Sequence, residues 1–85
     1  MNVQIPSALQ SYTGAADVEA AGGNLAELLA ALDERYPGIR FRMVDEQDRF
    51  RRHMRCFVNG VQVFDLGRSL SPQDEVIVIQ ALSGG

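Results

Sequence analysis

The stretch Asp74-Glu75-Val76-Ile77-Val78-Ile79-Gln80 runs straight into Ala81-Leu82-Ser83-Gly84-Gly85. Four consecutive β-branched residues make a strong strand. They are apolar at odd and even positions alike, so both faces of the strand ask for burial. A strand with two apolar faces belongs in the middle of a sheet rather than at its edge. A strand this strong normally ends in a turn or cap, but here it leads into two glycines. Glycine has no Cβ, so such a thread can pass where a side chain would clash. Five extended residues reach roughly 16 Å, at about 3.3 Å each. The expectation is a flexible tail, 81–85, ending on a free glycine carboxylate and able to enter another protein while the body stays outside.

Working back from the tail, Asn59-Gly60 is the strongest short hairpin signal in the chain. Met54, Cys56 and Val58 alternate with Arg55 and Phe57 before it, and Val61-Gln62-Val63-Phe64 returns after it. Leu66 to Leu70 reads as a loop, and Ser71 to Glu75 as a tight turn into the last strand. Upstream, Leu25, Leu28, Leu29 and Leu32 fall at i, i+3, i+4 and i+7, the single apolar stripe of an amphipathic helix. Asn24 is a good N-cap, Glu27 completes a capping-box spacing, and Pro37-Gly38 stops the helix. At the start, Val3 and Ile5 alternate with Asn2 and Gln4 as a half-buried strand ended by Pro6. A weaker strand, 16–20, pairs with it as a hairpin, and Gly22-Gly23 ends that strand. Ile39, Phe41 and Met43 alternate with Arg40 and Arg42, which predicts a short extended piece, followed by a polar turn over 44–49.

The order is β-β-α-β-β-β with one main helix. One helix covers one face of a sheet, so the fold class is a two-layer α+β sandwich. The other sheet face is left to a loop or to a partner. Phe57 has the opposite parity to Cys56 and Val58 and is expected on that open face, with Phe64 or part of the last strand beside it.

Eighty-five residues make one domain, 1–85, with one modest core and no room for a deep catalytic cleft. The net charge of −3 argues against a generic nucleic-acid binder. All eight basic residues are arginine, so no side chain here can accept an isopeptide bond. A single cysteine excludes an internal disulfide and fits a reducing compartment. With no signal-like start and no apolar run of about 20 residues, a cytoplasmic protein is expected.

Candidate reactive groups are few. The alternation around Cys56 places it in the core, where a thiol is inert. His53 has no second histidine for a metal site. Arg49, Arg51, Arg52, His53 and Arg55 could contact nucleic acid or phosphate, but in an acidic chain they read as a solvated face or a docking patch. Asp45, Glu46 and Asp48 lack the rest of a calcium-loop pattern. No metal site is expected, and no nucleophile–base pair stands out.

The pattern resembles the β-grasp, or ubiquitin-like, fold, and more narrowly the MoaD/ThiS family of sulfur carriers. The resemblance rests on Asn24-Leu25 with Leu28 and Leu32, Tyr36-Pro37-Gly38, Phe57-Val58-Asn59-Gly60, Asp74-Glu75-Val76 and Ser83-Gly84-Gly85. It implies a mixed sheet of four or five strands with one main helix on one face. It implies a carrier rather than an enzyme. A partner adenylyltransferase related to the ubiquitin activators would couple the Gly85 carboxylate to AMP, consuming ATP. A sulfur donor would then leave a thiocarboxylate for a sulfur-accepting synthase. Leu82, Ser83 and Gly84 would be the thread entering these partners, and Phe57 and Phe64 would dock the activating enzyme. No cofactor is expected on the carrier, and neither nucleic acid nor membrane as partner. Molybdopterin, thiazole, cysteine or homocysteine precursors and a tRNA base are all open as recipients. Two other readings stay open as well: a protein modifier conjugated through Gly85, and a non-covalent interaction module.

Overall fold

The computed structural model of the chain describes residues 1–81. Five strands form one sheet: β1 (Asn2–Gln4), β2 (Asp17–Glu19), β3 (Met54–Val58), β4 (Val61–Val63) and β5 (Glu75–Gln80). Their spatial order is β2-β1-β5-β3-β4. The doubly apolar β5 is therefore the central strand, parallel to β1 on one side and antiparallel to β3 on the other. The first hairpin forms as expected, with Val3 opposite Val18. Its connection is helical: a 3-10 turn, Ser7–Leu9, continues into α1 (Gln10–Thr13), and Leu9 is fully buried.

The main helix is α2 (Leu25–Arg35). Its start is fixed by reciprocal side-chain bonds. The Glu27 N–H donates to Asn24 Oδ1 at 2.8 Å, and the Gly23 N–H donates to Glu27 Oε1 at 2.8 Å. The loop after β4 supplies carbonyls as well: Leu25 N–H donates to Arg68 O and Ala26 N–H to Leu66 O. The orphan amides of the first helical turn are thus met by protein. Leu25, Leu28, Leu29 and Leu32 are all buried against the inner face of the sheet, among Val3, Val58, Val76 and Val78. Burying each leucine is worth about 2 kcal/mol before ordering costs.

The segment after α2 corrects the sequence reading. Residues 39–43 are helical, α3 (Ile39–Met43), not extended. Gly38 sits at φ 97°, a left-handed turn that lets the chain reverse at once into a second helix. Asp33 Oδ1 accepts from the N–H groups of Gly38 and Arg40 and so ties α3 to α2. The alternation in the sequence was misleading because only Ile39 and Met43, four residues apart, reach the core. Phe41, of the same parity, points out and is 59% exposed.

Asp45 then closes a polar turn, accepting from the N–H groups of Gln47 and Arg49. The second hairpin turns at Asn59 (φ 51°) and Gly60 (φ 83°), the paired left-handed conformations of a type I′ turn. Asn59 also clamps the far end of β5. Its Nδ2 donates to Asp74 Oδ1 at 2.9 Å, and its Oδ1 accepts from Glu75 N–H at 2.9 Å.

Candidate functional site

The candidate site is the root of the tail and the open face of the sheet. β5 runs to Gln80, and the Ala81 N–H still donates to the His53 carbonyl at 2.6 Å. The end of β5 next to Ala81 is held by β3, while β1 pairs with its first half, 75–77. Leu82, Ser83, Gly84 and Gly85 lie outside the described residues.

Register fixes what the open face presents. Gln4, Ile77 and Phe57 are aligned across β1, β5 and β3, and Gln62 of β4 continues the row. Arg55 stands opposite Ile79 one step nearer the tail. Phe57 and Ile77 are half-buried, while Ile79 is 41% and Phe64 73% exposed. Phe64 shares a groove with Arg55 and Gln62. Helices α2 and α3 lie on the other side, so this apolar strip has solvent over it. Phe57 and the end of the last strand are thus brought together on one face, with Phe64 and Arg55 in a groove beside them.

No reactive group competes with the tail among the described residues. Cys56 is buried on the inner face, and that burial pushes its thiol up to about 12. It stays protonated and out of reach. Among the described residues no cluster of three or more histidine, cysteine, aspartate or glutamate side chains could hold a metal ion. No helix among them is long and apolar enough to cross a membrane.

A groove that no local sequence pattern announces lies on the other side of the tail root. It is lined by Phe41, Arg42, Glu46, Arg51, Arg52, His53, Met54 and Gln80, with a volume of about 570 Å³. The Arg51 guanidinium stacks over the Phe41 ring, 4.4 Å from its centroid. Only the helical course of α3 puts Phe41 there. The four-residue spacing of Ile39 and Met43 after Pro37-Gly38 was the available signal.

A mixed five-stranded sheet clasping one main helix, with the last strand at its centre, defines a ubiquitin-like β-grasp protein. The ThiS family model matches residues 3–85, and the chain belongs to that family of ubiquitin-like sulfur carriers, which are carrier proteins and not enzymes. Among solved structures, the chain is similar to CysO in the BexX/CysO complex of Amycolatopsis orientalis, with 30% identity and a TM-score of 0.89. That match covers 99% of this chain and 98% of the other. Mycobacterium tuberculosis CysO is 28% identical with a TM-score of 0.89, over 95% of this chain and 98% of that one. Small archaeal modifier protein 1 from Methanosarcina acetivorans, 19% identical with a TM-score of 0.81, covers 99% of this chain and 94% of its own and shares the fold. No curated protein matches the chain in sequence.

Proposed function

We propose that residues 1–85 form a single carrier domain that bears sulfur as a thiocarboxylate on Gly85, with 81–85 as the delivering thread. The observation that carries this is the family match running through Ser83-Gly84-Gly85, on a sheet whose central strand leads directly to them. A carboxylate is a poor electrophile because its charge repels nucleophiles and its leaving group is oxide. In the proposed cycle an activating enzyme cures both faults. The Gly85 carboxylate oxygen attacks the α-phosphorus of ATP and pyrophosphate leaves. A sulfide-equivalent nucleophile then attacks the acyl carbon, the C–O bond to AMP breaks, and a thiocarboxylate remains. The sulfur is now a tethered nucleophile. ATP is consumed by the partner, and the carrier needs no acid, base or cofactor of its own.

The open face, with Phe57, Ile77, Ile79 and Phe64, is the surface we assign to docking the activating enzyme. Leu82, Ser83 and Gly84 would occupy that enzyme's channel. Similarity to the two CysO chains favours a sulfur-accepting synthase of the cysteine branch over the other recipients. The need for ATP and a protonated, reduced Cys56 fits the cytoplasm.

Incubation with its adenylating enzyme, ATP and a sulfur donor should raise the intact mass by the oxygen-to-sulfur difference. The gain should map to the C-terminal peptide. Deleting Gly85 should abolish it while the circular dichroism spectrum stays the same. Sulfur on Cys56, or full activity without Gly85, overturns the carrier reading. Lysine-linked adducts on other proteins would point instead to a modifier.

A further inference from the structure

Charge in this chain is segregated. Six of the eight arginines lie between Arg40 and Arg55, where only three carboxylates accompany them. The rest of the chain has two arginines against eight carboxylates. Two of the six, Arg40 and Arg49, are engaged with Asp48 and Asp45. Arg51 is held against Phe41, donating from Nε to its carbonyl and stacking on its ring. Arg42 and Arg52 differ. Both are exposed, and among the described residues neither side chain makes a hydrogen bond or salt bridge. They line, together with Arg51 and the single carboxylate Glu46, the groove that reaches Gln80, the last residue of β5. A second, smaller groove shares Arg51, Arg52 and Met54 with it and reaches Arg55 and Phe64 on the open face. A strip in which Arg42, Arg51, Arg52 and Arg55 outnumber the one carboxylate, Glu46, thus runs from the tail root to the apolar docking face.

We infer that the Arg42–Arg51–Arg52 groove receives an acidic segment of the activating enzyme at the mouth of the channel that takes the tail. The inference rests on the carrier reading above. A protein that takes in residues beyond Ala81 must close its rim around the tail root, and on this side the root is the groove. Guanidinium groups there meet carboxylates best, because a planar fork can bond a carboxylate at two points. The Phe41 ring supplies an apolar floor. An RNA partner is disfavoured, because outside residues 40–55 the chain carries eight carboxylates against two arginines, a balance that repels a phosphate backbone. Charges at such a rim act mainly on encounter, so the association rate and its salt dependence should carry the effect.

The test is pyrophosphate release by the activating enzyme as a function of carrier concentration, for wild type, Arg42→Glu/Arg52→Glu and Arg42→Lys/Arg52→Lys. The double reversal should raise KM about tenfold or more while kcat stays close to wild type, and should remove most of the fall in kcat/KM on adding salt. The lysine pair should recover most of the loss. If the reversal lowers the thermal midpoint, Arg42→Gln/Arg52→Gln takes its place. Wild type that is never adenylated brings down the carrier reading and this inference together. Wild type that is adenylated, with an unchanged KM and salt dependence in the reversal, overturns the inference alone. Bulk tRNA that binds wild type but not the reversal, and slows adenylation, would overturn it in favour of an RNA site.

Discussion

Gly22→Ala and Gly23→Ala make a matched pair that tests how the hairpin meets the helix. A Cβ on Gly22 would lie 2.5 Å from the Leu28 nitrogen, 2.9 Å from its Cα and 3.0 Å from the Glu27 carbonyl carbon. All three are backbone atoms of α2, so no rotamer change can relieve the contact. Either α2 or the loop carrying Gly22 must shift, which disturbs the packing of buried Leu28. A Cβ on Gly23 would meet only Glu27 Oε1, at 3.1 Å, the end of a flexible side chain. Overpacking of a rigid neighbour costs about 1–3 kcal/mol, and two contacts under 3.0 Å put Gly22→Ala near the upper end. Restricting the unfolded chain returns roughly 0.4–1 kcal/mol to either variant. Gly22→Ala should therefore lose about 2 kcal/mol, and Gly23→Ala should stay within about 0.5 kcal/mol of wild type. In a chain of this size the first corresponds to a midpoint lower by roughly 8–16 °C. Urea unfolding followed by circular dichroism measures both, and the m-value should not change. Equal stability of the two variants would refute the close approach of Gly22 to the helix.

Leu28→Ala removes a fully buried side chain from α2 and should cost about 2–5 kcal/mol in the same assay; a loss under about 0.5 kcal/mol would mean the leucine stripe is not the core. Phe57→Ala, half-buried on the open face, should lose no more than about 1 kcal/mol of stability yet weaken binding of the activating enzyme measured by calorimetry. Global unfolding by that substitution would show that Phe57 belongs to the core. Asp74 is held below its ordinary value of 3.8 by the Ser71 N–H first, and then by the Asn59 side chain. A depressed folded pKa means that the stabilisation is present above the unfolded value and is lost as the pH falls through the folded one. Asp74→Ala should accordingly flatten the decline in midpoint between about pH 5 and pH 2, though not abolish it, since Asp45 is lowered in the same direction by the Arg49 and Gln47 amides. A decline as steep as wild type would show that Asp74 does not contribute to it.

The parts of the fold legible in the sequence were those carried by local periodicity and punctuation. The leucine stripe with Asn24 and Glu27 gave α2, Asn59-Gly60 gave the second hairpin, and the doubly apolar Val76 to Ile79 gave a central strand. The helical course of 39–43 was not legible, because five residues fit a period of two as well as a period near four. What decides between them is Asp33, six residues before Ile39, reaching over to the start of α3. The parity of Phe57 was readable from its strand alone. Its row with Gln4 and Ile77 was not, since that depends on register between strands far apart in the chain. The groove at the tail root needed α3, β5 and the 51–53 segment together. The arginines were visible as a run, but nothing local said that they border Gln80.

The central position of β5 also has a mechanical consequence. A pull applied to the chain at Ala81 would load the sheet along the axis of β5. The hydrogen bonds to β1 and β3 lie across that axis, so they are sheared together rather than peeled one after another. An edge strand such as β4, pulled sideways from its single neighbour, would unzip bond by bond. Pulling along β5 should therefore need more force than peeling away β4.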